Sequence, residues 1–168
     1  MAKKLTVKEI TLFGMLGALT FGAKFVMSGL PNIEPVSLFV MVFAVVFGLK
    51  ALFPIAIYVV LEILIYGIQL WNINYLYVWP LLLLLALWLK KMEHPLQWAL
   101  LAAVFGLFFG LLCAPVYLFT GGVYFAVNWW ISGIPFDLLH CAGNFVLTLL
   151  LFAPLRRLLT SLYHKYIL

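Results

Sequence analysis

The sequence predicts an all-α integral membrane protein: a six-transmembrane-helix bundle with both termini cytoplasmic. Three observations predict it. Of 168 residues, 67% are hydrophobic and only 9% are charged, whereas a typical soluble domain carries about a quarter charged residues. A chain this apolar has too little polar surface to face water, so lipid is its solvent. At roughly 20 residues per span, the length holds six spans and little else. Finally, the basic residues gather at alternate connections, as the positive-inside rule requires of cytoplasmic loops.

The whole chain, 1–168, reads as a single membrane domain with helices at 7–28, 36–49, 52–68, 76–89, 96–118 and 135–160. The first apolar run continues to about Val26 without a small-residue cleavage site, so it reads as a span rather than a signal peptide. A break follows over Gly29-Leu30-Pro31-Asn32-Ile33-Glu34-Pro35, where two prolines lack backbone donors and disfavour helix in the residues before them. Helix two is short for a span. Gly48-Leu49-Lys50 forms a tight turn, and Pro54 is tolerated in the first turn of helix three. Gln69 to Tyr75 reads as a polar, aromatic loop before helix four. Lys90 to Pro95 is an interfacial loop, and helix five follows. The longest connection is Thr120 to Ile134, which contains Gly121-Gly122 and Asn128-Trp129-Trp130. Helix six starts near Pro135, carries Arg156-Arg157, and gives way to an amphipathic tail ending at Leu168.

With the N-terminus inside, the inner face receives Lys3, Lys4, Lys8, Lys50, Lys90, Lys91, Arg156, Arg157 and Lys165, nine of the ten basic residues. The net charge of +5 therefore reads as a topology signal rather than a nucleic-acid surface. The outer connections carry Asn32, Glu34, Trp71, Asn72, Asn74, Tyr75, Asn128 and Trp129. Amides and aromatics together suit a neutral or mildly charged ring-bearing ligand, by hydrogen bonding and stacking. An interfacial aromatic belt has the same composition.

Charged groups within a bilayer are costly and tend to face a protein interior or cavity. Lys24, Glu34, Glu62 and Asp137 are such groups. Asp137, His140, Cys141 and Asn144 recur at helical spacing and share one face. Lys24 lies at a depth comparable to Asp137, so the two are expected to pair. Glu62, with Tyr58 and Tyr66 one turn away on either side, reads as a hydrogen-bonded structural acid. One His beside one Asp does not make a metal site, and no metal is expected. Cys113 and Cys141 sit in apolar stretches as small hydrophobes. No nucleophile motif or phosphate loop is present, so the chain reads as a non-enzyme that does not hydrolyse ATP. Gly14, Ala18 and Gly22 form a small-residue row on helix one, which lets another helix approach closely.

This combination of size, six spans, cytoplasmic termini, small-residue row and amide- and aromatic-rich outer loops resembles the substrate-binding S component of energy-coupling factor (ECF) transporters. The resemblance covers the whole chain and is architectural. It implies a prokaryotic plasma-membrane subunit that captures a vitamin from outside and delivers it through a transmembrane T component and two cytoplasmic ATPases. It implies no cofactor beyond the transported vitamin. The family's docking face maps onto Gly14, Ala18 and Gly22, although the family's row is richer in alanine. The family's outward pocket maps onto Asn32, Glu34, Trp71, Asn72, Asn74, Tyr75, Trp79, Asn128, Trp129, Asp137, His140 and Asn144. Cobalamin is the leading ligand, because its amide rim would match Asn side chains; riboflavin-, thiamine-, pantothenate- and queuosine-precursor-like ligands stay open. Two other classes also stay open: a stand-alone secondary carrier or channel with Lys24, Glu62 and Asp137 as coupling groups, and a small membrane enzyme using Asp137 and His140.

Overall fold

The computed structural model describes residues 4–30 and 32–167, and among them every regular element is helical. Lys3 of the inner basic set, Pro31 of the expected break and the terminal Leu168 lie outside the described residues. Helix α1 spans Val7–Val26. Thr6 caps it: its side chain accepts from the Glu9 backbone N–H at 3.2 Å, and Glu9 Oε2 accepts from the Thr6 N–H at 2.9 Å. This reciprocal arrangement satisfies two of the donors a helix start leaves free. Helix α2, Val36–Phe47, is short and ends two residues before the expected boundary. Gly48 takes φ 62° there, a conformation glycine adopts without steric penalty. A 3₁₀ turn over Gly48–Ala51 leads into α3, Leu52–Tyr66, which stops at Gly67, also at positive φ.

Two expected loops are helical instead. Helix α4 spans Leu70–Trp88 rather than starting at residue 76. Its extra turns start at Gln69, whose N–H donates to Asn72 Oδ1 at 2.6 Å. The polar residues there cap a helix rather than loop out. Helix α5 spans Pro95–Leu107, and after a break at Phe108 helix α6 runs over Phe109–Tyr166. The chain reverses only at Gly122, at φ 78° and ψ 179°. The expected connection from Thr120 to Ile134 is therefore a near-continuous helical hairpin turned on one glycine. Its arms are antiparallel: Asn144 Nδ2 donates to the Ala102 carbonyl at 3.3 Å, the Gly110 N–H donates to Asp137 Oδ1 at 3.0 Å, and Tyr117 stacks on Trp129 at 3.9 Å.

Side-chain contacts fix the remaining directions. Glu9 meets Lys50, Gly17 meets Ile57, and Lys24 meets Glu62, so α1 and α3 run parallel. Tyr58 lies against both Tyr75 and Trp79, so α4 returns beside α3. The core fills with large side chains from all these helices, including Phe13, Phe43, Tyr58, Trp79, Trp98 and Phe152, each at most 1% exposed. The outer surface is apolar as well: Met15, Leu64, Leu84 and Leu150 are all more than half exposed. Soluble proteins rarely expose such a continuous apolar surface. Four helical stretches, Val7–Val26, Val36–Tyr66, Leu70–Trp88 and Pro95–Tyr166, are long and apolar enough to cross a membrane. At one end of the bundle Lys8 donates to the Tyr166 carbonyl, Lys50 pairs with Glu9, and Arg156 and Arg157 line a hollow with Glu93. Lys24 lies at the other end, with the site described next.

Candidate functional site

At the Lys24 end, α1, α3 and α4 converge beneath the connection between α1 and α2. Lys24 Nζ donates to Glu62 Oε2 at 3.1 Å, to the Tyr58 hydroxyl at 3.2 Å and to the Tyr75 hydroxyl at 3.0 Å. Glu34 Oε2, from the connection, lies 3.8 Å away. The ammonium also sits 5.2 Å from the Trp71 ring and 5.0 Å from the Tyr75 ring, within cation–π range. Burial pushes the Glu34 carboxyl above its ordinary range, and the Lys24 charge pulls it the other way.

The expected Lys24–Asp137 pair does not form. The cause is the parallel packing of α1 on α3, which sets Lys24 beside Glu62. Asp137 instead accepts the Gly110 N–H, a donor just past the break at Phe108 and hence in the first turn of a helix. Glu62 accepts from Lys24, which also donates to Tyr58, while Tyr66 lines the cavity wall beside it.

This cluster lines a cavity of about 380 Å³, walled by Asn32, Glu34, Tyr66, Trp71, Tyr75, Phe109 and His140, among others. A second hollow of about 560 Å³ adjoins it through the shared residues Asn32 and Phe109, and takes in Asn128, Trp129 and Asp137. Both volumes suit small-molecule sites, which run about 300–1,000 Å³. His140 is 2% exposed, packs edge-on against Phe109 at 4.8 Å, and has no hydrogen-bond partner at either ring nitrogen among the described residues.

Eight of the twelve expected binding residues therefore line one or other cavity: Asn32, Glu34, Trp71, Tyr75 and His140 the first, and Asn128, Trp129 and Asp137 the second, with Asn32 common to both. Four do not. Asn72 caps α4, and Asn74 Oδ1 accepts from the Tyr77 hydroxyl. Asn144 ties α6 to Ser37 and Ala102. Trp79, fully buried, lies one layer below, against Tyr75 and Phe109. Residues outside the expected set also line the cavities: Lys24, Glu62, Tyr66, Phe109 and Ser132. Lys24 and Glu62 carried a signal, being charges inside apolar spans; Phe109 and Ser132 had none. Among the described residues no group of His, Cys, Asp and Glu is arranged to hold a metal.

The row Gly14, Ala18, Gly22 faces away from the bundle. A Cβ at Gly14 or Gly22 would meet nothing within 4 Å, and Ala18 is exposed. The glycine that α1 uses for internal packing is Gly17, against Ile57 and the Pro54 carbonyl. No family model, curated protein or solved structure matches the chain.

Proposed function

We propose that the chain is a solute-capturing membrane subunit of six spans, the S component of an ECF-type importer. The observation that carries this is the half-open, aromatic-walled cavity at one end of the bundle, with the Lys24–Glu62–Glu34 cluster set into its wall. A buried charge cluster beside a cavity marks a substrate site more often than a packing device. With α2 and α3 each taken as one crossing and the hairpin about Gly122 as two, the chain crosses the bilayer six times. The basic residues at the end opposite Lys24 support a cytoplasmic side for that end and for both termini. The cavity then opens to the outside, where a captured solute would enter. The row Gly14, Ala18, Gly22 on the outer face of the bundle supports docking of a T component, which works with two ATPases, because among the described residues nothing comes within 4 Å of a Cβ at Gly14 or Gly22.

The ground for cobalamin narrows. Asn72, Asn74 and Asn144 make hydrogen bonds within the fold, which leaves Asn32 and Asn128 to meet an amide rim.

The test is native mass spectrometry of the purified chain, followed by titration with a vitamin panel and co-purification with a T component and its ATPases. A one-to-one ligand complex that co-purifies with the partners supports the reading. Uptake by the chain alone in liposomes, driven by an ion gradient, would instead establish a secondary carrier. Gly14→Leu is expected to abolish co-purification and spare ligand binding; unchanged co-purification would remove the docking face.

A further inference from the structure

The cavities at the Lys24 end are lined by three acids, Glu34, Glu62 and Asp137, and one lysine, Lys24. An ammonium has three N–H donors, and those of Lys24 go to Glu62 Oε2, Tyr58 and Tyr75. Glu34 stands at 3.8 Å, close enough for attraction but too far for a hydrogen bond. Glu62 Oε1 and Asp137 Oδ2 are enclosed and have no partner among the described residues. A neutral imidazole offers one donor and one acceptor, and His140 has both unused. Two carboxylates thus face one ammonium in the first cavity, and Asp137 adds a third acid in the second. The walls are aromatic, and Trp71 and Tyr75 already surround a positive charge, that of Lys24.

An anion would meet three acidic side chains and a single ammonium. A neutral ligand of amide or ketone acceptors would leave Glu62 Oε1 and Asp137 Oδ2 unpaired. A positively charged ring with N–H donors would complement the acids of the lining and stack on the walls. We propose that these cavities take a small organic cation: a heteroaromatic ring bearing a positive nitrogen and N–H donors, with Glu62 and Asp137 as its acceptors and His140 as a neutral partner. This rests on the binding-subunit reading above and narrows its substrate class.

Calorimetric titration of the full chain in lipid nanodiscs would use thiamine as the cationic ligand, riboflavin and cyanocobalamin as ligands without net positive charge, and pantothenate as the anion. The cation is expected to bind about 100-fold tighter than the others. Glu62→Gln should weaken it by about tenfold or more. If that variant does not fold, Asp137→Asn gives the same readout from the second cavity. Tightest binding by riboflavin, cyanocobalamin or pantothenate would overturn the cation assignment while leaving the binding subunit in place. Binding by none of the four would overturn both. Cation binding that survives both substitutions unchanged would overturn the assignment of Glu62 and Asp137.

Discussion

Helix α1 carries a buried ionic cluster at each end, and the two are built differently. At the Lys50 end, Glu9 is 3% exposed and fully partnered: Lys50 and the Tyr163 hydroxyl share Oε1, and the Thr6 N–H takes Oε2. At the Lys24 end, Glu62 is fully buried yet keeps only Oε2 engaged, and a cavity lies beside it. Both clusters join α1 to the α3 side of the bundle by the same chemistry. The first closes on itself and acts as a clamp joining α1, the turn before α3 and the end of α6. The second has unused bonding capacity and space in which to use it. Buried polar groups are normally satisfied, so an orphaned atom beside a cavity calls for a partner, such as a water or a ligand.

The largest expected effect comes from removing the lysine at each end. Lys24→Met leaves Glu62 enclosed beside Glu34 without a counter-charge, and breaking a buried pair in this way costs about 3–5 kcal/mol. Lys50→Met leaves Glu9 with Tyr163 and Thr6 still bonded, so its loss should be about 1–3 kcal/mol. Thermal melting in one detergent reads both. Equal losses would break the distinction between clamp and site. Ligand affinity should shift in the first variant and hold in the second.

The seam between the clusters comes next. Gly17 lies midway along α1, and a Cβ there would meet Ile57 at 2.7 Å and the Pro54 carbonyl at 2.8 Å. The carbonyl belongs to a packed helix and cannot swing aside. Gly17→Ala should therefore push α1 from α3 and destabilise by about 1–3 kcal/mol. Because the seam sets Lys24 against Glu62, ligand affinity should fall with it. Gly14→Ala, with open space at the same helix, should melt as the parent does; a matching loss there would mean the seam is not what holds the two ends in register.

The contrast between the ends was partly legible in the sequence. Charges inside apolar runs identify Lys24 and Glu62 as functional or paired. Depth alone cannot choose between Glu62 and Asp137 as the partner of Lys24; only the packing of α1 on α3 does. The loops were legible only where glycine and proline dictate the backbone, as at Gly48 and Gly122, whereas the stop at Gly67 fell inside the expected helix three. Between Gly122 and Ile134, and from Leu70 to Tyr75, asparagines and aromatics looked like loop residues. Their helical state comes from tertiary contacts such as Tyr117 on Trp129, which composition does not reveal. The same blindness assigned every outer asparagine to a ligand, when Asn72 caps a helix and Asn144 braces three.

The smallest effect is the sharpest test of the clamp. Tyr163→Phe removes one hydroxyl that donates to Glu9 Oε1 at 2.8 Å, and the ring keeps its edge-on contact with Phe47 at 5.0 Å. The lost bond is to a carboxylate, so destabilisation of about 1–2 kcal/mol is expected. Glu9 retains Lys50, which stops the change from becoming an unpaired buried charge. The affinity for any ligand at the Lys24 end should not move, because the two clusters share no residue. If melting fell as expected and affinity fell with it, the ends would be coupled through α1, and the clamp would set the geometry of the site rather than simply hold the far end of the bundle.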